Sequence, residues 1–258
     1  HKSVILVIAL FCKVLTAQIL TDTVAFDYLK TVQLAPVGAP MDFPAYELGK
    51  KQGLEFSFDD MAYEWNNYGY RIQHCDKNWY PSDLLINQYL DGFDGNYLTN
   101  FAISVGTFVP YTHYKTTIPN EYIRPKISGN YVLEIFQNDD PEDIIIRRRF
   151  IVYESLAIPA VEVIRAIDMT NFSTEQQVNA RVALAGYPIQ DYFNDLDLSI
   201  LQNRRWDNSL NGLKPTFIND GMLEYNFMGE GSFEGGVEFH TFDTKRLNQV
   251  GMGVKVSQ

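Results

Sequence analysis

The sequence predicts an all-β protein of two consecutive β-sandwich domains after a signal peptide. Three observations predict it. Apolar residues recur at every second position in run after run, turn-forming clusters of Gly, Asn, Asp and Pro separate the runs, and no long stretch carries the period of an amphipathic helix. At 46% hydrophobic and 14% aromatic, the 258 residues can bury a sizeable core, which argues against long disorder. A net charge of −11, from 21 basic and 32 acidic side chains, argues against nucleic acid as a partner. The only long apolar run lies at the N-terminus, which excludes a polytopic membrane architecture.

Residues 1–17 have the build of a secretory signal: Lys2, an apolar core from Val4 to Phe11, then small residues up to Ala17. Phe11 stands where a small residue would precede a lipidated Cys12, so a lipoprotein is not expected. Cleavage after Ala17 would leave Cys75 as the sole thiol, a small buried hydrophobe rather than half of a disulfide. Such a signal implies export. Residues 18–29 read as an N-terminal lead-in.

Residues 30–154 read as the first sandwich. Leu54, Phe56 and Phe58 alternate with Glu55, Ser57 and Asp59, and Tyr68, Tyr70, Ile72 and His74 alternate with Gly69, Arg71, Gln73 and Cys75. Ser128, Gly129 and Asn130 launch Tyr131, Leu133 and Ile135; Asp139, Asp140 and Pro141 then return the chain into 144–152 as a hairpin. A tyrosine opening such a late strand is the position of the tyrosine corner in immunoglobulin-like sandwiches. The expected fold is therefore immunoglobulin/fibronectin-III-like. Near Ser155 the pattern resets, and residues 155–258 read as a second such domain, with strands at 161–167, 178–184, 196–200, 223–227, 237–241 and 252–256. With no initiator Met and no polar tail after Val256, the sequence reads as part of a longer product, truncated in or just after the second domain.

The search for chemistry nominates no catalytic residue, no cofactor and no metal. His74 and Cys75 are strand neighbours and project to opposite faces, so they neither ligate one ion nor pair as nucleophile and base. His113 and His240 lack a partner at ligand spacing. Asp139, Asp140, Glu142 and Asp143 do not follow an EF-hand spacing and read as a solvated hairpin tip, leaving open whether the tip binds calcium. Asp191, Asp195 and Asp197 are a weaker signal of the same kind, and Asp59 and Asp60 read as turn or cap residues. The glycines at 229, 231, 235 and 236 lack a phosphate-loop pattern and read as a flexible hairpin; no GxSxG is present. Arg147 and Arg149 point one way and Arg148 the other, with ion pairing to the hairpin carboxylates expected.

Several motifs, in order, resemble one family: FSFDD (Phe56 to Asp60), YRIQHCDKNW (Tyr70 to Trp79), YLDGF (Tyr89 to Phe93), YTHYKTTIPN (Tyr111 to Asn120) and SGNYVLEIF (Ser128 to Phe136). ILQNRRWDN (Ile200 to Asn208), LKP (Leu213 to Pro215) and FHTFDTKRL (Phe239 to Leu247) continue the series. The set resembles the N-terminal region of the type IX secretion system plug protein. That resemblance implies a non-enzymatic periplasmic subunit at the inner face of the outer membrane, which binds the system's translocon barrel and occludes its periplasmic opening between export events. It implies largely structural motif residues, with Tyr131 and Trp79 anchoring cores and Gly92 and Gly129 allowing turns. Arg205, Trp206, Phe93, Tyr111 and His113 are nominated as partner-binding residues because they sit in apparent loops within these motifs. The alternative is a periplasmic glycan-binding β-sandwich module, motivated by the abundance of loop aromatics. A hydrolase would need a convergent acid pair or metal site, and none is found.

Overall fold

The computed structural model describes residues 18–62, 66–184, 186, 188–219, 221–227, 229 and 231–235. The expectations for residues 1–17, Gly236, His240, FHTFDTKRL and the strands at 237–241 and 252–256 lie outside these residues. The described chain is nearly all β, arranged in antiparallel sheets as a sandwich, as the period-two pattern predicts. It divides into two compact units, one ending at Ser155 and one beginning at Leu156. Among the described residues no helix is long and apolar enough to cross a membrane.

In the first unit the strands are β1 (Thr23–Val24), β2 (Leu29–Pro36), β3 (Ala45–Glu47), β4 (Leu54–Asp60), β5 (Gly69–Cys75), β6 (Leu90–Gly92), β7 (Asn96–Tyr97), β8 (Phe101–Ile103), β9 (Thr112–Ile118), β10 (Ile123–Pro125), β11 (Gly129–Phe136) and β12 (Ile144–Tyr153). One short helix, α1 (Ile86–Tyr89), precedes β6. One sheet runs β1-β12-β11-β5-β7, with β3 also beside β12; the other runs β2-β4-β9-β8, and β10 pairs with β6 in a small ribbon. The outer edge of β12 is shared. β1 pairs antiparallel with Arg147 and Ile146, and β3 pairs parallel with Ile151 to Tyr153.

Alternation decides what is buried. Leu54, Phe56 and Phe58 of β4 are fully buried while Glu55 is exposed, because successive side chains leave a strand on opposite faces. Phe58 lies opposite Tyr114 of β9 and stacks on it at 5.2 Å, and Tyr68 meets both rings edge-on at 5.3 and 5.0 Å. Tyr131 stacks on its cross-strand neighbour Phe150 at 5.4 Å. Four buried tyrosine hydroxyls find partners: Tyr68 donates to Asp60 (2.8 Å), Tyr114 to the Asn66 carbonyl (3.1 Å) and Tyr131 to the Ile127 carbonyl (2.9 Å), and Tyr70 accepts from Asn120 (2.8 Å). The Tyr131 bond, reaching four residues back, is the tyrosine-corner contact that its position predicts.

The arginine run departs from expectation in its partners. Arg147 and Arg149 do share a face, but the Arg147 Nε donates to Glu134 Oε1 at 2.8 Å, not to the hairpin carboxylates. Glu134 lies opposite Arg147 on one side and Arg71 on the other, and Arg71 Nε donates to its second oxygen at 2.8 Å. A carboxylate facing two cations on a central strand is the nearer and less solvated partner. Arg149 lies over the Trp79 ring at 4.8 Å and donates to the Leu20 carbonyl, clamping residues 20–25 to the sheet.

The second unit has β13 (Ala157–Arg165), β14 (Glu175–Leu184), β15 (Leu198–Ile200), β16 (Leu210–Leu213), β17 (Phe217–Asn219), β18 (Met222–Tyr225) and β19 (Ser232–Glu234). One sheet runs β13-β14-β18-β17 with β19 also on β14, and β15 pairs with β16. Ala180, Val182, Leu223, Tyr225 and Phe227 form its core. The glycine-rich segment read as a flexible hairpin contributes a strand: β19 pairs with Glu175 to Gln177, and Gly231 sits against the Phe227 ring, where a Cβ would meet it at 2.6 Å.

Candidate functional site

The five nominated residues do not form one cluster. Phe93 follows β6, is largely exposed, and is held by its backbone N–H on the Tyr122 carbonyl at 3.1 Å. Tyr111 immediately precedes β9, where its backbone closes a hairpin with Ser104. His113 is not in a loop. It lies on β9 opposite Asp59 of β4, with Nδ1 2.6 Å from Asp59 Oδ1; Thr31 donates to the other carboxylate oxygen. The histidine of YTHYK looked loop-borne because β9 carries polar residues on both faces, which hides its period. Arg205 and Trp206 lie in the second unit after a single 3₁₀ turn, Gln202–Arg204. The Arg205 guanidinium forks onto the Asp207 carboxylate, which holds that carboxyl below its usual range and raises the guanidinium.

The titratable clusters are structural. His74 Nδ1 lies 2.9 Å from Ser82 Oγ, and its ring packs against Tyr131 at 5.0 Å. Burial holds the His74 imidazolium below its ordinary value, only partly offset by a hydrogen bond to the Ser128 backbone. With both ring nitrogens engaged and no carboxylate orienting the ring, His74 and Ser82 do not form a nucleophile and base. Burial pushes the neighbouring Cys75 thiol up to about 12, so it is protonated and unreactive. Asp60 is fully buried and accepts from Ala62 N–H, Asn66 and Tyr68, organising the turn after β4, whereas Asp59 serves His113 on the opposite face. Asp140 and Asp191 accept backbone N–H groups two residues on, as turn residues do. Among the described residues no group of three or more His, Cys, Asp or Glu side chains is placed to hold a metal ion.

An open cleft of about 260 Å³ lies beside the β7, β8 and β9 region, lined by Tyr70, Tyr97, Asn100, Thr116, Asn120 and Tyr122 among others. Two of its polar side chains, Asn120 and Tyr70, are engaged with each other. Asn120 donates to Tyr70 and the Thr117 carbonyl and accepts from the N–H groups of Tyr122 and Ile123. The Tyr97 hydroxyl is held by Asp139 and that of Tyr122 by Glu121, each carboxylate raising its phenol.

Residues 29–154 match the family described as the type 9 secretion system plug protein 1st domain. These residues belong to that family. The match spans both sheets of the first unit, from β2 to the end of β12, and includes the tyrosine corner and the Glu134 pair. Beyond the plug first domain, the chain also resembles a solved structure of a hypothetical protein from Parabacteroides merdae ATCC 43184, with a TM-score of 0.84 and 28% identity over 91% of this chain. The chain spans 59% of the length of that relative. No curated protein matches.

Membership in the plug first-domain family supports involvement in type IX secretion and an envelope location. Gly92 and Gly129 of the plug first domain end β6 and open β11 at positive φ, +129° and +153°, in keeping with glycines that let the chain turn, and the backbone there also passes close to other groups. A Cβ on Gly92 would meet the Tyr122 carbonyl oxygen at 2.0 Å, and one on Gly129 would meet His74 Nε2 at 2.4 Å.

Proposed function

We propose that this chain is a periplasmic plug subunit of the type IX secretion system, which binds the outer-membrane translocon barrel and occludes its periplasmic opening between export events. The observation that carries the reading is the family match over residues 29–154. Physical chemistry supports it. A wide barrel has a water-filled lumen that leaks unless a stiff body closes it. The first unit is stiff: interlocked aromatic rings join its two sheets, and the buried hydroxyls of Tyr68, Tyr70, Tyr114 and Tyr131 are tied to fixed partners. Occlusion by shape asks for no reactive group, in keeping with a neutral His74 and a protonated Cys75. Export by residues 1–17 and two sandwich domains meeting near Ser155 belong to the same proposal.

The glycan-binding alternative finds its best support in the tyrosine-lined cleft, where the Asn120 amide is already bonded within the fold and the remaining polar lining, Glu55, Lys115 and Glu121 among it, would have to hold the sugar. The test is capture of the translocon barrel from the native envelope by the tagged full-length protein. Capture is expected, weakened by alanine at Phe93, Tyr111, His113, Arg205 or Trp206. Recovery of polysaccharide without a barrel would replace the plug by the glycan module, and equal capture by all five variants would discard these five residues.

A further inference from the structure

The turn between β8 and β9 presents an apolar knob. No residue from Gly95 to Thr112 carries a charge. Phe108 is 108% exposed and Val105 92%, with Val109 more than half exposed beside them. Ile103 and Phe101, on the edge strand leading into the turn, are also exposed. Scattered single apolar residues are ordinary on a surface, but Val105, Phe108 and Val109 exposed together at one hairpin tip point to an interaction site.

The tip is fixed by its own hydrogen bonds. Ser104 N–H donates to the Tyr111 carbonyl at 2.9 Å, and Tyr111 N–H donates back to Ser104 Oγ at 2.8 Å. Thr107 donates to the Val109 carbonyl at 2.9 Å, which leaves the Ser104 hydroxyl to donate to Thr107 Oγ1 at 3.1 Å. Gly106, at φ +72°, supplies the left-handed residue that reverses the chain.

We propose that residues 104–110 are a preformed knob that seats Phe108 in an uncharged apolar cleft of a protein partner. The inference rests on the envelope-partner role proposed above and gives that partner's contact its chemistry. Two observations select a protein cleft over a lipid surface. A bilayer accepts apolar side chains in any arrangement, whereas a shaped cleft rewards a loop ordered before binding. Peripheral lipid contact by a few side chains also leans on basic residues beside them, and this segment has none in a chain of net charge −11. The same charge on both copies opposes self-association through the tip.

The test places a photo-crosslinking phenylalanine analogue at position 108 of the full-length protein in its own cells, with one at exposed Met41 as the control. Position 108 is expected to yield one protein adduct that position 41 does not. The adducted protein, identified by mass and purified, is expected to bind Phe108→Ser roughly thirty-fold more weakly than the parent, as for an aromatic anchor, with the unfolding midpoint unchanged. Ser104→Ala, which keeps the apolar side chains but loosens the tip, is expected to weaken binding several-fold. No protein adduct, an adduct with a second copy of this chain, unchanged affinity of Phe108→Ser, or vesicle binding that Phe108→Ser abolishes would each overturn the knob. The adduct's identity tests the wider reading separately. An outer-membrane barrel supports both, while another envelope protein that loses affinity for Phe108→Ser supports the knob and removes the barrel.

Discussion

Two tyrosines on the core side of the first unit make opposite demands. The Tyr131 hydroxyl donates to the Ile127 carbonyl, so Tyr131→Phe is expected to destabilise the unit by about 1 kcal/mol. Among the described residues the Tyr46 hydroxyl is buried without a hydrogen-bond partner, and burial alone raises its phenol. Removing that oxygen relieves its desolvation, so Tyr46→Phe is expected to be neutral or stabilising by up to about 1 kcal/mol. Urea unfolding midpoints of the two variants check the pair; a loss of stability in Tyr46→Phe would mean the hydroxyl has a partner. His74 supplies a pH dependence. Its folded value lies below the unfolded value of about 6.5, so the unfolded chain binds a proton that the folded protein refuses. Its contribution is complete above about pH 6.5 and falls as pH drops from there toward the lowered value. Unfolding free energies at pH 7.5 and 5.5 are expected to differ less in His74→Gln than in the parent; an equal difference would remove His74 as the cause. Trp79 and Tyr131, both buried, were legible as core anchors through the family resemblance. Phe108 was not, since an exposed phenylalanine and a buried one read alike; the absence of charge around Gly106 and Pro110 was the available signal.

At the scale of elements, legibility followed the difference between a strand's two faces. β4 and β5 were read from sequence because each sets apolar residues on the core face against polar or charged ones, and β11 and β12 because a turn at Asp139 to Pro141 joins them as a hairpin. β2 was missed as a strand: its register against β4 slips between Lys30 and Gln33, with Thr31 at φ +48°, so its period breaks midway. β1 and β3 are too short to carry a period and exist because the edge of β12 offers unpaired backbone groups. The Arg71, Glu134 and Arg147 array was half legible. Strand parity placed the arginines, but which carboxylate lies opposite is a matter of register between strands distant in sequence. Glu134→Ala leaves two partly solvated arginines facing an apolar methyl, and is expected to cost roughly 2–4 kcal/mol, below or near the cost of breaking a fully buried pair. Urea unfolding measures it, and a loss below about 0.5 kcal/mol would place the array with ordinary surface pairs.

For the molecule as a whole, the described parts of both units are β, and the first belongs to a family of secretion-system plug domains. The all-β class was legible from periodicity alone, whereas the function entered through an ordered set of motifs, several of whose described residues are core or register positions. Phe56, Tyr70, Tyr131 and Trp79 build the body, and their chemistry says nothing of what the body meets. A body that works by its shape leaves few functional marks in sequence, because its contacts are carried by exposed loops and tips rather than by a reactive motif. The central claim is that this body closes a barrel. Its most direct test is the conductance of the purified translocon in a planar bilayer, recorded before and after the full-length protein is added to the periplasmic side. The account predicts a concentration-dependent fall in conductance; an open channel undisturbed by saturating protein would contradict it.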